Sequence, residues 1–179
     1  MDQFAEQLVK KHPSTKDDLR RGLIIAGAAV ITLGSVALVF LGYPIALVLP
    51  VCAIWAAIYL FRLTNVEYEY SVTNGSLDID KILGQNKRKS MLSVEVSTFT
   101  VYGKVDEVTE SDADMTTFLA TGTSLMGEDD DAEEYYAEFD HGEHGKCCLY
   151  FTPDSRFREA LEPFLSRSLR QDVARRRSQ

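Results

Sequence analysis

Two patterns of apolar residues divide the chain. From Leu23 to Phe61 no charge interrupts a run of aliphatic and aromatic side chains. Leu23–Leu41 is long enough, at about 1.5 Å of rise per residue, to cross the roughly 30 Å hydrocarbon core of a bilayer. Gly42-Tyr43-Pro44 then breaks the run. Gly and Pro favour a turn, and Tyr suits the headgroup level. Ile45–Phe61 follows as a second, shorter span, which Pro50 starts or kinks. The pattern predicts a transmembrane helical hairpin over residues 23–61, with spans at 23–41 and 45–61. A cleaved signal peptide fits less well, because the first run is long and no small-residue cleavage motif precedes Gly42. Gly27, Ala28, Gly34 and Ser35 on one helix, and Ala53, Ala56 and Ala57 on the other, permit close contact between helices or between copies.

Beyond Arg62 the period drops to two. Val66–Val72 alternates strictly, as a half-buried strand does. Asn74-Gly75 then marks a hairpin turn, with Leu77–Asp80 as the returning strand. Further strands are expected at Arg88–Val96, Phe99–Tyr102 and Met115–Ala120. Tyr135–Phe139 and Lys146–Phe151 form a second hairpin around Asp140–Gly145. Thr152-Pro153 reads as a helix start, with the hydroxyl as cap and Pro in the first position. Phe157, Leu161, Phe164, Leu165 and Leu169 recur at helical spacing, and Pro163 should bend or divide that helix. The expected fold is an α+β membrane protein. It joins a transmembrane hairpin to an antiparallel β roll of about seven strands, spanning residues 65–179 and capped by the C-terminal helix. Met1–Lys11 is expected to form a short surface helix or a partly ordered tail. Residues 1–22 are then a separate N-terminal segment.

A resemblance agrees with this layout. It rests on Val66–Ile82, Lys87-Arg88-Lys89, the start Met1–Val9 and the ending Arg158–Leu165. These stretches resemble uncharacterised small bacterial membrane proteins with two transmembrane helices followed by a bacterial PH-like domain. The resemblance implies a PH-like fold and a membrane address; it carries no activity.

Charge sharpens the placement. Lys10, Lys11, Lys16, Arg20 and Arg21 precede the first span and Arg62 follows the second, while the connecting turn is uncharged. By the positive-inside rule the protein is multi-pass in the cell membrane, with both termini cytoplasmic. Residues 65–179 carry 13 Lys/Arg against 23 Asp/Glu, a net of −10. Such a domain is a poor partner for nucleic acid. Cys52, Cys147 and Cys148 suggest no disulfide framework and suit a reducing compartment.

Candidate chemistry is sparse. Lys81, Lys87, Arg88 and Lys89 form a basic group near a strand turn, able to meet anionic lipid headgroups or to guard a strand edge. His141, His144 and Cys147 concentrate metal-ligand chemistry, in a spacing that matches no standard zinc signature. On strand alternation Cys147 and Cys148 face opposite sides. The acidic run Glu128–Glu134 lacks the spacing of a calcium loop and reads as a solvated loop. Arg175-Arg176-Arg177 reads as a solvated tail. No Walker loop, dinucleotide fingerprint or Gly-x-Ser-x-Gly elbow is present. The expectation is a non-enzymatic, cofactor-free module in the lipid bilayer, presenting its domain to a protein partner or to a second copy. The alternatives are a reader of anionic lipid and a metal-dependent enzyme.

Overall fold

The computed structural model describes residues 3–12, 14–107, 114–125 and 133–177. In chain order the elements are β1 (Phe4–Lys11), α1 (Thr15–Phe40), α2 (Val48–Leu63), β2 (Val66–Thr73), β3 (Ser76–Leu83) and β4 (Lys87–Glu95). They continue with β5 (Phe99–Lys104), β6 (Thr116–Ala120), β7 (Gly122–Ser124), β8 (Tyr135–His141), β9 (Gly145–Phe151), α3 (Ser155–Leu161) and α4 (Arg167–Arg177). The chain forms two compact units, Met1–His12 with Glu67–Ile82 and Arg88–Gln179, and Pro13–Val66 with Leu83–Lys87.

The first unit is built on two sheets, one ordered β4-β3-β2-β1-β7 and the other β5-β8-β9-β6. All seven expected strands are present, and β1 and β7 are added. The Asn-Gly turn joins β2 to β3, with Asn74 and Gly75 both at positive φ as such a turn requires. The expected wholly antiparallel roll is corrected to two sheets with one parallel pair: β6 runs parallel to β9, because the chain reaches β9 through β8 on its other side, while β8 and β9 form an antiparallel hairpin closing at His141–Gly145. The inward side chains meet as a dry aromatic cluster. Tyr70 packs edge-on against Phe151 and Phe157, at centroid distances of 6.0 and 5.8 Å. Full burial of each such ring is worth about 1.5–3 kcal/mol.

The N-terminal segment corrects the expected helix or tail. Phe4–Lys11 is a strand, paired antiparallel with β2 from Phe4–Thr73 to Lys10–Glu67 and with β7 through Val9–Ser124. Its inward positions are Gln7 and Val9, both fully buried. A polar residue at an inward position hides the alternation. Gln7 is satisfied by donating from Nε2 to the Thr152 carbonyl (3.0 Å) and accepting the Asp154 N–H (2.9 Å). β7 is three residues long, too short to carry a period of its own. A Cβ at Gly122 would overlap the Lys10 carbonyl, so only glycine lets β7 approach β1 this closely.

The C-terminal stripe is buried as its spacing demanded: Phe157, Leu161, Leu165 and Leu169 point inward. Pro163 divides the helix, and Glu162–Phe164 forms a single 3-10 turn between α3 and α4. The helix starts two residues later than expected. Asp154, not Thr152, caps α3, accepting the Phe157 N–H at 2.7 Å. Thr152 is buried instead, and its hydroxyl accepts the Gly122 N–H at 3.1 Å. A carboxylate at the N-terminus of a helix also meets the favourable end of its dipole.

The second unit holds two helices long and apolar enough to cross a membrane, Thr15–Phe40 and Pro44–Leu63. The helix containing the first apolar run starts at Thr15, ahead of Leu23, because Lys16–Arg21 continue it. The reversal uses Gly42 at φ +94° and a 3-10 turn, Pro44–Leu47. Pro50 falls in the first turn of α2, where its missing N–H costs no helical bond. Arg21 ties the beginning of α1 to the end of α2. It donates to Thr64 Oγ1 (3.4 Å) and Asn65 Oδ1 (3.1 Å) and lies 5.4 Å over the Phe61 ring. Thr32 and Ser35 direct their hydroxyls to carbonyls of their own helix, Ala28 and Thr32, so they need no outside partner. Large side chains along both helices face outward, among them Val30, Leu33, Val51 and Trp55.

Candidate functional site

The basic group on β3 and β4 is not a set of free cations. Arg88 pairs with Glu69 and lies 3.9 Å from Asp80. Glu69 is itself buried. Desolvation raises its pKa, a hydrogen bond with Glu6 adds to that, and Arg88 opposes both. Arg88 therefore neutralises an acid on β2 across the strands. Lys87 and Lys89 are exposed at the start of β4, and Lys81 is half-buried on β3.

At the β8–β9 turn the two histidines come together without the cysteine. The His141 and His144 rings stack at 5.0 Å with 22° between planes, and His144 also packs on Phe118 at 5.7 Å. His141 Nδ1 accepts the Glu143 N–H at 3.2 Å. The Cys147 side chain turns into the core, donates to the Gly145 carbonyl and has its pKa raised by burial. Metal binding would need the thiolate, which that environment disfavours. Cys148 faces the opposite side, as alternation required, and donates to Thr117 Oγ1. Among the described residues no group of three His, Cys, Asp or Glu is placed to hold a metal ion.

A third group was missed by sequence reasoning. Lys104 at the end of β5, Arg158 on α3, and Arg176 and Arg177 at the end of α4 line one cleft of about 330 Å³, together with Glu107 and Tyr135. Arg158 donates to the Tyr135 hydroxyl (2.5 Å) and lies 5.2 Å over that ring. Arg176 donates to the Tyr102 carbonyl at 3.3 Å, and Arg177 pairs with Glu162 at 2.7 Å. Of the acidic run, Glu128–Ala132 lies outside the described residues. Glu133 binds Lys104 at 2.6 Å, raising the lysine pKa, and reaches to 3.9 Å from Arg158. Burial raises the Glu162 pKa, with Arg177 and Arg158 offsetting part of the effect. The Tyr102 hydroxyl is fully buried and has no hydrogen-bond partner among the described residues.

The expected solvated tail is thus the last turn of α4. The available signal was the helical period itself, which continues from Leu169 to Val173 and sets Arg176 and Arg177 one turn on. Nothing local connects them to Lys104; only the packing of α4 beside β5 does.

Comparison with curated proteins gives no match, and comparison with solved structures gives none. The resemblance read from the ends and the Val66–Ile82 stretch has a firmer footing in a family model. Described as a bacterial PH-like domain, DUF6106, it matches residues 1–171, and the chain belongs to that family.

Proposed function

We propose that the chain is a membrane-anchored, non-enzymatic interaction module. Its hairpin crosses the bilayer twice and holds the PH-like domain at the cytoplasmic face, where the domain meets a protein partner or a second copy. The observation that carries this is the place of the hairpin in the sheet. It is inserted between β1 and β2, which pair with each other down to Lys10–Glu67. One sheet cannot lie on both sides of a bilayer, so the intervening segment crosses an even number of times. Two helices of spanning length satisfy that requirement. The cations Lys10, Lys11, Lys16, Arg20, Arg21 and Arg62 flank the hairpin and favour the cytoplasmic side for both feet. Outward Val30, Leu33, Val51 and Trp55 are suited to acyl chains.

Crosslinking in native membranes, followed by identification of the captured species, tests the module reading. A discrete homo-oligomer or a recurrent protein partner is expected, attached through lysines of the PH-like domain. A monomer that captures nothing, in membranes and after detergent extraction alike, would count against it.

A further inference from the structure

The cleft lined by Lys104, Arg158, Arg176 and Arg177 runs against the charge of its surroundings. Residues 65–179 are acidic overall, with a net of −10. Yet four cations from three elements converge on about 330 Å³, with Glu107 the one acid among the described residues that line the wall. Like charges gathered this way repel unless an anion lies among them. Three carboxylates supply part of that compensation, Glu107 lying 3.9 Å from Lys104. Glu133 bridges Lys104 (2.6 Å) and Arg158 (3.9 Å), and Glu162 holds Arg177 (2.7 Å). Among the described residues Arg176 meets only a carbonyl dipole, that of Tyr102.

We infer that this cleft binds a phosphate group, carried by a small organophosphate or by a phospholipid headgroup, and that Glu133 occupies its cations in the ligand-free chain. The chemistry favours phosphate over a carboxylate. Guanidinium forks match phosphate oxygens in pairs, and a lysine adds a point charge. The volume suits one compact polyanion rather than a polymer. Glu133 carries one charge and, among the described residues, reaches only Lys104 and Arg158. A phosphate would also engage Arg176, which no carboxylate among the described residues pairs with.

The test uses the full chain in phosphatidylcholine nanodiscs and reads hydrogen exchange in α4 and in the Gly103-Lys104 segment. The probes are inorganic pyrophosphate, and nanodiscs in which phosphatidylglycerol replaces part of the phosphatidylcholine. Slower exchange with pyrophosphate alone supports the inference with a soluble phosphate as source. Slower exchange with phosphatidylglycerol alone supports it with the headgroup as source, and a response to both supports the shared phosphate chemistry. Arg176→Gln with Arg177→Gln should raise the concentration needed by about ten-fold or more, the usual weight of a charge-assisted hydrogen bond. Glu133→Gln should act the other way, lowering it about two- to five-fold, since the competing pair is solvent-exposed. No protection by either probe, in both the parent and Glu133→Gln, overturns the inference. So does protection that survives loss of Arg176 and Arg177.

Discussion

Gln7 shows how one side chain both disguises and secures an element. At an inward strand position it reads as a break in the apolar alternation, yet it fastens β1 to the segment leading into α3 through Thr152 and Asp154. Gln7→Leu would keep the volume and strand both backbone groups in a dry site. The expected cost is about 1–3 kcal/mol, set by the unpaired Thr152 carbonyl and Asp154 N–H. Denaturant titration of the detergent-solubilised chain measures it, and an unchanged midpoint would show that water replaces the amide. Glu162 offers a pH-dependent counterpart. Burial raises its pKa above the ordinary 4.5, so the folded chain takes up a proton before the unfolded chain does. The penalty of holding the charge is full at neutral pH and shrinks as pH falls through the raised value toward 4.5. The parent should therefore gain stability relative to Glu162→Gln on acidification across that window. Thermal melts of both chains at matched pH decide it; a difference moving toward the variant would mean that the Arg177 pair outweighs burial. Other residues were legible from period alone. The opposed faces of Cys147 and Cys148 and the inward Phe157, Leu161, Leu165 and Leu169 needed no tertiary information, because each lies in an element whose own period is clean.

Among the elements, the Val66–Asp80 and Tyr135–Phe151 hairpins rest on alternation or a turn signal, Arg88–Val96 on one apolar face, and Phe99–Tyr102 and Met115–Ala120 on apolar content alone, and those are local properties. β1 and β7 have no such signal. β1 is defined by its partners, β2 on one side and β7 on the other, and β7 exists only because Gly122 admits it against Lys10. The same distinction holds for the basic cleft. Its cations are separated by more than fifty positions between Lys104 and Arg158, and they meet through the packing of α4 and α3 beside β5 and β8. The Lys81–Lys89 group was legible as charge but not as structure, since Arg88 is taken up by Glu69. An N-terminal tail could be removed at little cost; a central strand cannot. Deleting residues 3–11 would leave β2 and β7 with bare edges and uncover Tyr70, Val72 and Thr152. The expected outcome is loss of exchange protection throughout β2 and β7, with aggregation through the open edge. Retained protection in β2 would return the segment to the status of a tail.

At the scale of the molecule, the hairpin and the sheet constrain each other through connectivity. The two apolar runs and the flanking charges are local features of the chain; pairing of β1 with β2 adds that the chain must come back to where it left. That requirement makes the topology testable at one position. Tyr43, in the reversal between the helices, should face the side opposite to Gln171 on α4. In a Cys52→Ala background, Tyr43→Cys should react with an impermeant maleimide added outside intact cells. Gln171→Cys should react only after permeabilisation; both positions are exposed, so accessibility does not confound the comparison. Cys147 and Cys148 are buried and contribute little background. Labelling of Gln171→Cys alone in intact cells would place the PH-like domain on the far face, contradicting the positive flanks. Labelling of neither in intact cells would mean that the reversal does not emerge, leaving a hairpin that enters the membrane without crossing it. The first outcome would remove the cytoplasmic placement while keeping the even number of crossings, and the second would remove the crossings while keeping the sheet.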